Sequence, residues 1–413
     1  MQDEVGDPWF QNLFAERIGG ACYGKSDKIY KFEKIKRAKR AVKLVYPDRQ
    51  LLDFGIGEND DMAPAVIRDV MHREIDRLEN RGYADNGIQE FREAAARFME
   101  RNFAVKLNPS TEINHVIGSK PAFAMLPAVF INPGDVTLLT VPGYPVAGTH
   151  TTYYGGIVHR LPLLAENHFF PDLDSIASKV LEKAKLLVLN YPNSPTGKIA
   201  TRDFYSRVVD FARKNRIVVI QDAAHICLTY AGDPLSFLEV DGAREVGVEV
   251  HSLSKGFNMI GWRIGFVAGH PKLVQAFADV KDNSDSGQFM AIQRAAAVAL
   301  DTPEIPRNVR TKYHRRLTKL AAVLRSVGFD AAVPEGTYFL YTKAPKRCAG
   351  HEFVTAEDAS QFLINQQSVC TVPWDDAGSF LRFSVTYQAA TEHEENDLMQ
   401  ETGRRLGSLN FQF

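Results

Sequence analysis

The chain of 413 residues has room for about two to three domains of ordinary size. Its hydrophobic share of 45% and charged share of 24% suit a globular core that needs neither metal nor disulfide support. A formal net charge of −1 excludes a global field that would recruit nucleic acid or an anionic membrane, and no apolar run approaches the roughly 20 residues of a membrane span. Neither nucleic acid nor membrane is therefore expected as a partner. Cys22, Cys227, Cys348 and Cys370 are scattered without a C-x-x-C pair or metal-ligand spacing, so free thiols and no metal site are expected, with Cys227 a core residue rather than a catalytic one. The acidic opening MQDEVGDPWF lacks the basic-then-apolar pattern of a signal peptide, which points to a cytoplasmic setting.

The first fifty residues are polar and irregular, apart from the basic segment YKFEKIKRAKRAVK (30–43). Nearby acids balance its charge, so it reads as an amphipathic helix with a solvated basic face rather than a nucleic-acid patch. From about residue 64, helical and strand-like segments alternate. Helices are predicted over 64–79, 87–103, 121–131, 201–215 and 287–300. Strands are predicted for INHVIG (113–118), DVTLLTV (135–141), KLLVLN (185–190), RIVVIQD (216–222), GVEVHSL (247–253) and IGFVAG (264–269). Such alternation argues for an α/β domain with a mostly parallel sheet covered on both faces. A charged helix over 308–326 then leads to GFDAAV, GTYFLYTKA and SFLRFSVTY, a smaller α+β domain sharing its core with the N-terminal segment. The expected division is 1–60 for an N-terminal arm and part of the small domain, 61–300 for the large domain and 301–413 for the C-terminal small domain.

The chemistry sits directly after each apolar run. The runs end in GSKP, PGYP, YPNSPTG, DAAH and LSK, at the carboxyl ends of strands, where open α/β sheets place ligands. Lys255 stands between Ser254 and Gly256 in an apolar setting that would depress an ammonium's pKa, and only a neutral amine attacks a carbonyl. Eight residues on, Arg263 offers a fixed fork for phosphate oxygens, and Ser252 a hydroxyl. The turn Gly118-Ser119-Lys120-Pro121 joins a strand to a helix, whose free N–H groups favour an anion. Asp222 suits either an N-cap or a carboxylate that keeps a pyridine nitrogen protonated, and Tyr144 either a core aromatic or a plate against a planar ring. Taken together, a lysine imine, a phosphate cup, an acidic partner and an aromatic plate describe pyridoxal 5′-phosphate.

On the motifs RGYADNGIQEFREAAARF, VPGYPV, NYPNSPTGKI, QDAAH, HSLSKGFNMIGWRIGF and FLRFSVTY, residues 50–390 resemble fold-type I pyridoxal-phosphate enzymes of the class I/II aminotransferases. Within that class the chain is most similar to LL-diaminopimelate aminotransferases, on LFAERIGG…YGKSDKIYKFEKIKRAKRA and LLDFGIGENDD. The resemblance implies that Lys255 forms the imine with the cofactor and then shuttles a proton as general base and acid. It implies Asp222 at the pyridine nitrogen, Tyr144 on the ring, and Ser119, Lys120, Ser252 and Arg263 on the phosphate. Tyr83 would reach a phosphate across a homodimer interface, Arg382 would clamp the substrate α-carboxylate, and Gly57 would lie beside bound substrate. The implied reaction is transfer of an amino group between an amino acid, best LL-2,6-diaminopimelate, and 2-oxoglutarate, in lysine biosynthesis. Asp282, Asn283, Asp285 and Gln288 are candidates for the distal end of that substrate, or simply an ordinary polar loop. Another class I/II aminotransferase, a β-lyase, or an oxidase or decarboxylase of amino acids would use the same electron sink.

Two positions depart from the family pattern. Ser194 stands where asparagine usually precedes Pro-Thr-Gly, with Asn193 one residue earlier, and His225 stands where tyrosine usually follows the aspartate by three. Both fall on the phenolic oxygen of the ring, so together they would retune how readily the imine holds its proton. If the loop shifts by one, Asn193 takes the usual role.

Overall fold

The structure, a computed structural model, describes residues 8–25 and 31–413. The short strand β1 (Leu52–Asp53) leads into a seven-stranded sheet formed by β2 (Ile113–Val116), β3 (Val136–Val141), β4 (Ile157–Pro162), β5 (Ala184–Asn190), β6 (Val218–Asp222), β7 (Gly247–Ser252) and β8 (Gly265–Gly269). Its spatial order is β2-β8-β7-β6-β5-β3-β4. Six strands run parallel, and β8 runs antiparallel to both of its neighbours, β2 and β7. Strands such as Ala184–Asn190 and Gly247–Ser252 are buried almost throughout, as a sheet packed on both faces requires.

The helices obey the 3.6-residue period. Arg202–Asn215 buries Phe204, Tyr205, Val208, Val209 and Ala212 against the sheet; the Thr201 side chain caps its start and Arg216, in the left-handed region, ends it. Every strand expected from the apolar runs is present. The helix expected over 64–79 is shorter, Ala65–Glu74, and the one expected over 308–326 begins earlier, in Glu304–Ser326. Strand β4 had no apolar run to announce it, because it is the sheet edge and only Leu161 in it is buried.

A second core forms around a three-stranded antiparallel sheet of β9 (Phe339–Lys343), β13 (Val372–Trp374) and β14 (Phe380–Ser384), with the hairpin β10 (Arg347–Cys348) and β11 (His351–Glu352) beside it. Strand β12 (Val369–Cys370) pairs in parallel with β1, which draws the N-terminal segment into this part of the molecule. The basic segment is a helix, Lys31–Val45, that buries Ile35, Ala38 and Val42 against Ile364, Cys370 and Val372. Lys36, Arg37, Arg40 and Lys43 are exposed on the other face, as the charge pattern predicted, whereas Lys31, Lys34 and Lys39 are half-buried and pair with Asp376, Glu357 and Asp53; Tyr30, the first residue of the segment, lies outside the described residues. All four cysteines are free, and Cys348 and Cys370 are buried. No helix among the described residues is long and apolar enough to cross a membrane.

Arg316, fully buried in Glu304–Ser326, knits this core to the segment after β1. Its guanidinium donates to Glu395 Oε1 at 2.7 Å and to the carbonyls of Val385, Tyr387 and Ala389 at 3.0, 2.9 and 3.1 Å, and lies 3.1 Å from Asp60 Oδ2. Removing one member of such a set leaves the others buried without their charge partner. Arg316→Met is expected to destabilise the protein by about 3–5 kcal/mol, read as a lower urea midpoint.

Candidate active site

The parallel strands β3, β5, β6 and β7 all end at one edge of the large sheet, and a cavity of about 1250 Å³ opens there. Because β8 runs antiparallel, its first residue lies at that same edge, with Gly265 paired to Ser252 at the end of β7. That reversal explains why Lys255 and Arg263, eight residues apart, face one cavity.

Gly118 has φ +78, and a Cβ on it would collide with Arg263 Nη2, so the guanidinium rests directly on this turn. Arg263 donates to Ser254 Oγ at 3.2 Å and to the Ile260 carbonyl at 2.9 Å. Its own backbone has φ 55, and Gln288 holds it there through bonds to the carbonyls of Trp262 and Arg263 at 2.7 and 2.8 Å. The helix Ser119–Phe130 starts beside it, and Ser119, Lys120 and Ser252 line the same wall. A helix start, an arginine and a lysine in one corner make a site for a phosphate-sized anion.

Lys255 Nζ donates to the Gly57 carbonyl at 2.7 Å, a carbonyl that also accepts from Tyr338 Oη at 2.7 Å. Burial pushes the Lys255 ammonium down to about 8; Arg382 and Arg263 add to this, and Glu58 and Asp222 oppose it. Asp222 is 5% exposed and accepts from the Ala224 N–H at 3.0 Å. Burial raises its carboxyl to about 7, against that hydrogen bond and the Lys255 charge. His225 is driven down to about 3 by burial and by the charges of Lys255 and Arg382, so its imidazole is neutral, and its buried Nδ1 has no hydrogen-bond partner. Tyr144 lies on the cavity wall, edge-on to Phe123 at 6.0 Å.

Arg382 is 5% exposed and forms no ion pair among the described residues. It donates to the Gly55 carbonyl at 3.0 Å, stacks 4.2 Å from the Phe339 ring centroid and leaves its buried Nε without a partner. Burial lowers it to about 10. A buried guanidinium without a carboxylate is costly unless a ligand supplies one. Gly57 borders it, with room where its Cβ would be: the nearest atoms would stand 3.7 and 3.9 Å away.

Asn193 does not face the cavity. Its Oδ1 accepts from the Thr196 backbone and hydroxyl at 3.2 and 2.8 Å, and its Nδ2 donates to the Pro142 carbonyl, so the one-residue shift of the loop does not occur. Ser194 does line the cavity. Asn190, which sequence reasoning passed over, lines it too; Asn190 Oδ1 accepts from the Ser194 N–H at 2.8 Å and its Nδ2 donates to the Asp222 carbonyl at 3.3 Å. The missed signal was a polar residue closing an otherwise apolar run. Tyr83 is 83% exposed and lies outside the lining of this cavity.

The polar loop after 281 is structural. Asp285 pairs with the buried Lys281 at 2.6 Å, Asp282 accepts from Asn86 at 2.7 Å, Asn283 bonds the Asp279 carbonyl, and Gln288 holds Arg263. None of the four lines the cavity. The N-terminal segment does so instead, through Arg17, Ile18, Tyr23, Lys31 and Phe32. A sequence reading had no means of bringing that segment here, because the contact spans the whole chain.

This geometry is that of fold-type I pyridoxal-phosphate enzymes, and the chain's relatives agree. Residues 49–399 match the family aminotransferase class I and II. The LL-diaminopimelate aminotransferase of Methanocaldococcus jannaschii is 54% identical over 417 residues, covering 98% of this chain and 100% of its own. LL-diaminopimelate aminotransferase 2 of Trichormus variabilis is 38% identical, over 91% of this chain and 96% of its own. Substrate-bound BacF from Bacillus subtilis superposes with a TM-score of 0.85 at 30% identity, over 94% of this chain and 97% of its own. The chain belongs to the class I and II aminotransferases, and it is a transaminase of the kind that depends on pyridoxal 5′-phosphate. The site suits such a group: the Gly118–Arg263 corner fits a phosphate, and the unpartnered nitrogens of His225 and Arg382 await polar partners.

The lowered Lys255 amine is open to direct measurement. In cofactor-free protein, arylation of Lys255 by fluorodinitrobenzene, followed by peptide mass spectrometry, is expected to rise with a midpoint near pH 8. The amine is protonated and inert below that value, whereas solvated lysines react only toward about pH 10.4.

Proposed function

We propose that the enzyme transfers an amino group between LL-2,6-diaminopimelate and 2-oxoglutarate, a step of diaminopimelate and lysine biosynthesis, acting in the cytoplasm as a homodimer. The observation that carries the reading is the buried, unpaired Arg382 beside Lys255 in a cavity rich in cations. The names of relatives 54% and 38% identical over nearly the whole chain support the choice of donor.

When bound, pyridoxal 5′-phosphate supplies an electron sink for the charge left when the Cα–H bond breaks. Arg263, Ser119, Lys120 and Ser252 would hold its phosphate, and Tyr144 would cover the ring face. Asp222 would keep the pyridine nitrogen protonated; a cation there favours the ionised carboxylate, countering the burial that raises it in the free protein. Arg382 would bind the α-carboxylate by two parallel hydrogen bonds and so orient the Cα–H bond toward Lys255. Lys255, its ammonium brought down to about 8 by burial, gives up its proton more readily than a solvated lysine and would take the Cα proton and return it one bond away on the cofactor side. His225 and Ser194 would face the phenolic oxygen, with Asn190 anchoring Ser194. His225 is neutral, so it offers that oxygen a hydrogen bond without a charge. Tyr83, on the exposed surface, would reach the phosphate of a partner subunit. The proposed division places this chemistry in residues 61–300, with residues 1–60 and 301–413 closing over it.

The test is a panel of amino donors supplied with and without 2-oxoglutarate. Turnover of LL-diaminopimelate that requires 2-oxoglutarate, and that falls by at least ~10³-fold in Lys255→Ala, is the expected result. Turnover without any oxo acid would refute amino transfer. Preference for another donor would overturn the substrate while leaving the reaction class intact.

A further inference from the structure

Beyond the groups used above, the outer half of the cavity holds an arrangement that the transfer chemistry leaves unexplained. Lys31, at the start of the helix Lys31–Val45, reaches over the Trp374 ring, with Nζ 3.4 Å from its centroid. Its one hydrogen bond among the described residues is a 3.4 Å contact with the Pro373 carbonyl, and Asp376 Oδ2 forms a long ion pair with it at 3.9 Å, beyond hydrogen-bond reach. An ammonium has three donors, and among the described residues Lys31 spends one of them on a hydrogen bond. The Trp374 indole N–H beside it is buried and unpartnered.

Sheet register sets how far the Trp374 position, on which this cation rests, lies from Arg382. Val372 pairs directly with Arg382, and Trp374, two residues on, shows the same face of the sheet. Arg382 and Trp374 are therefore diagonal neighbours, about 7–8 Å apart. The two carboxyl carbons of a seven-carbon diacid are separated by six single bonds, the length of two extended residues, or roughly 7 Å. A molecule of that length matches the spacing of the Trp374 and Arg382 positions, and Lys31 and Arg382 line one cavity and are close enough for the Arg382 charge to act on Lys31. Charge points the same way: seven lysines and arginines line the cavity (Arg17, Lys31, Lys120, Arg160, Lys255, Arg263, Arg382) against two aspartates, Asp222 and Asp376. A phosphate and one α-carboxylate leave several of these unmatched. Arg17 and Arg160 are solvent-exposed, where a cation contributes little, whereas Lys31 is partly buried. Burial holds the Lys31 ammonium below its ordinary value and the Arg382 charge works in the same direction, against Asp376.

We propose that Lys31, seated on Trp374, is the specificity residue for the distal carboxylate of the amino donor, and that Asp376 takes the distal ammonium. The inference rests on the reading of the donor as a long diamino diacid and assigns its far end to residues of the N-terminal helix, β13 and the turn after it. The loop after residue 281 is excluded because its polar groups are already spent on the fold.

Three measurements on the holoenzyme test it. In Lys31→Met the ratio of kcat/KM for LL-diaminopimelate to that for L-norleucine, which lacks distal charge, is expected to fall roughly 10- to 100-fold, and Lys31→Arg is expected to restore most of it. In Asp376→Asn the ratio for LL-diaminopimelate over L-2-aminopimelate, which lacks only the distal ammonium, is expected to fall several-fold. Pimelate, the unreactive seven-carbon diacid, is expected to change tryptophan fluorescence at concentrations where hexanoate does not, with the change lost in Trp374→Phe. An unchanged ratio in folded Lys31→Met, or equal responses to pimelate and hexanoate, overturns the subsite. If the wild-type enzyme does not turn over LL-diaminopimelate, the functional reading fails by itself, and the pimelate titration still decides whether Lys31 and Trp374 receive a diacid.

Discussion

The site depends on one reversal of chain direction. Five of the parallel strands could deliver their loops to one edge in any α/β sheet, but the segment after β7 returns as an antiparallel strand instead of crossing over through a helix. A loop of a dozen residues, Leu253 to Ile264, therefore begins and ends at the ligand edge, with Lys255 near one end and Arg263 near the other. The loop is held rigidly: Arg263 is fixed in a left-handed backbone by Gln288 and pressed against Gly118, and Asn59 bonds the Lys255 carbonyl at 2.8 Å. An amine and a phosphate fork held at fixed separation match a rigid cofactor better than a mobile one, because little ordering is left to lose on binding.

A second strap, residues 54–60, joins that edge to the smaller sheet. The Phe54 carbonyl accepts from the Ser384 N–H at 2.7 Å, the Gly55 carbonyl from Arg382, the Ile56 carbonyl from Thr386 at 3.0 Å, and the Gly57 carbonyl from both Lys255 and Tyr338. Asp60 ends the strap in the buried set with Lys312, Tyr313 and Arg316. A single stretch of backbone thus meets both Lys255 and Arg382, the amine and the guanidinium of the cavity. A shift of the small sheet against the large one would be felt at Lys255 through the Gly57 carbonyl. This is a stability cost accepted at a working site: Arg382 stays buried without a carboxylate, and the Lys255 amine gives up much of its solvation.

Much of this was legible along the chain, for reasons specific to particular residues. The apolar runs around Leu186–Leu189 and Val248–Val250 announced buried strands because both of their faces are covered. Asp222 closes one apolar run, Lys255 follows another and Arg263 opens the next, and they stood out because the three together suit one anionic, carbonyl-bearing cofactor. Strand β4 was hidden because an edge strand carries few buried residues, and Asn190 because its polarity looked like the ordinary end of a strand. Asn193 misled for the opposite reason: a loop's own hydrogen bonds can consume a side chain that the motif seems to offer the ligand.

The amino-acid sequence by itself determined the fold class, the strand ends that meet at the cavity and the presence of Lys255 among them, since these arise from local periodicity and from single polar residues breaking it. Tertiary structure alone decided the outer half of the cavity. Lys31 and Trp374 are more than three hundred residues apart, and they meet because the helix Lys31–Val45 buries Ile35, Ala38 and Val42 against Val372 and its neighbours. Tertiary structure also decided which charges stay unpaired, because pairing is a matter of distance in space. Asp285 and Arg382 look equally available in the sequence, yet one is consumed by Lys281 and the other lines the cavity with its Nε unpartnered.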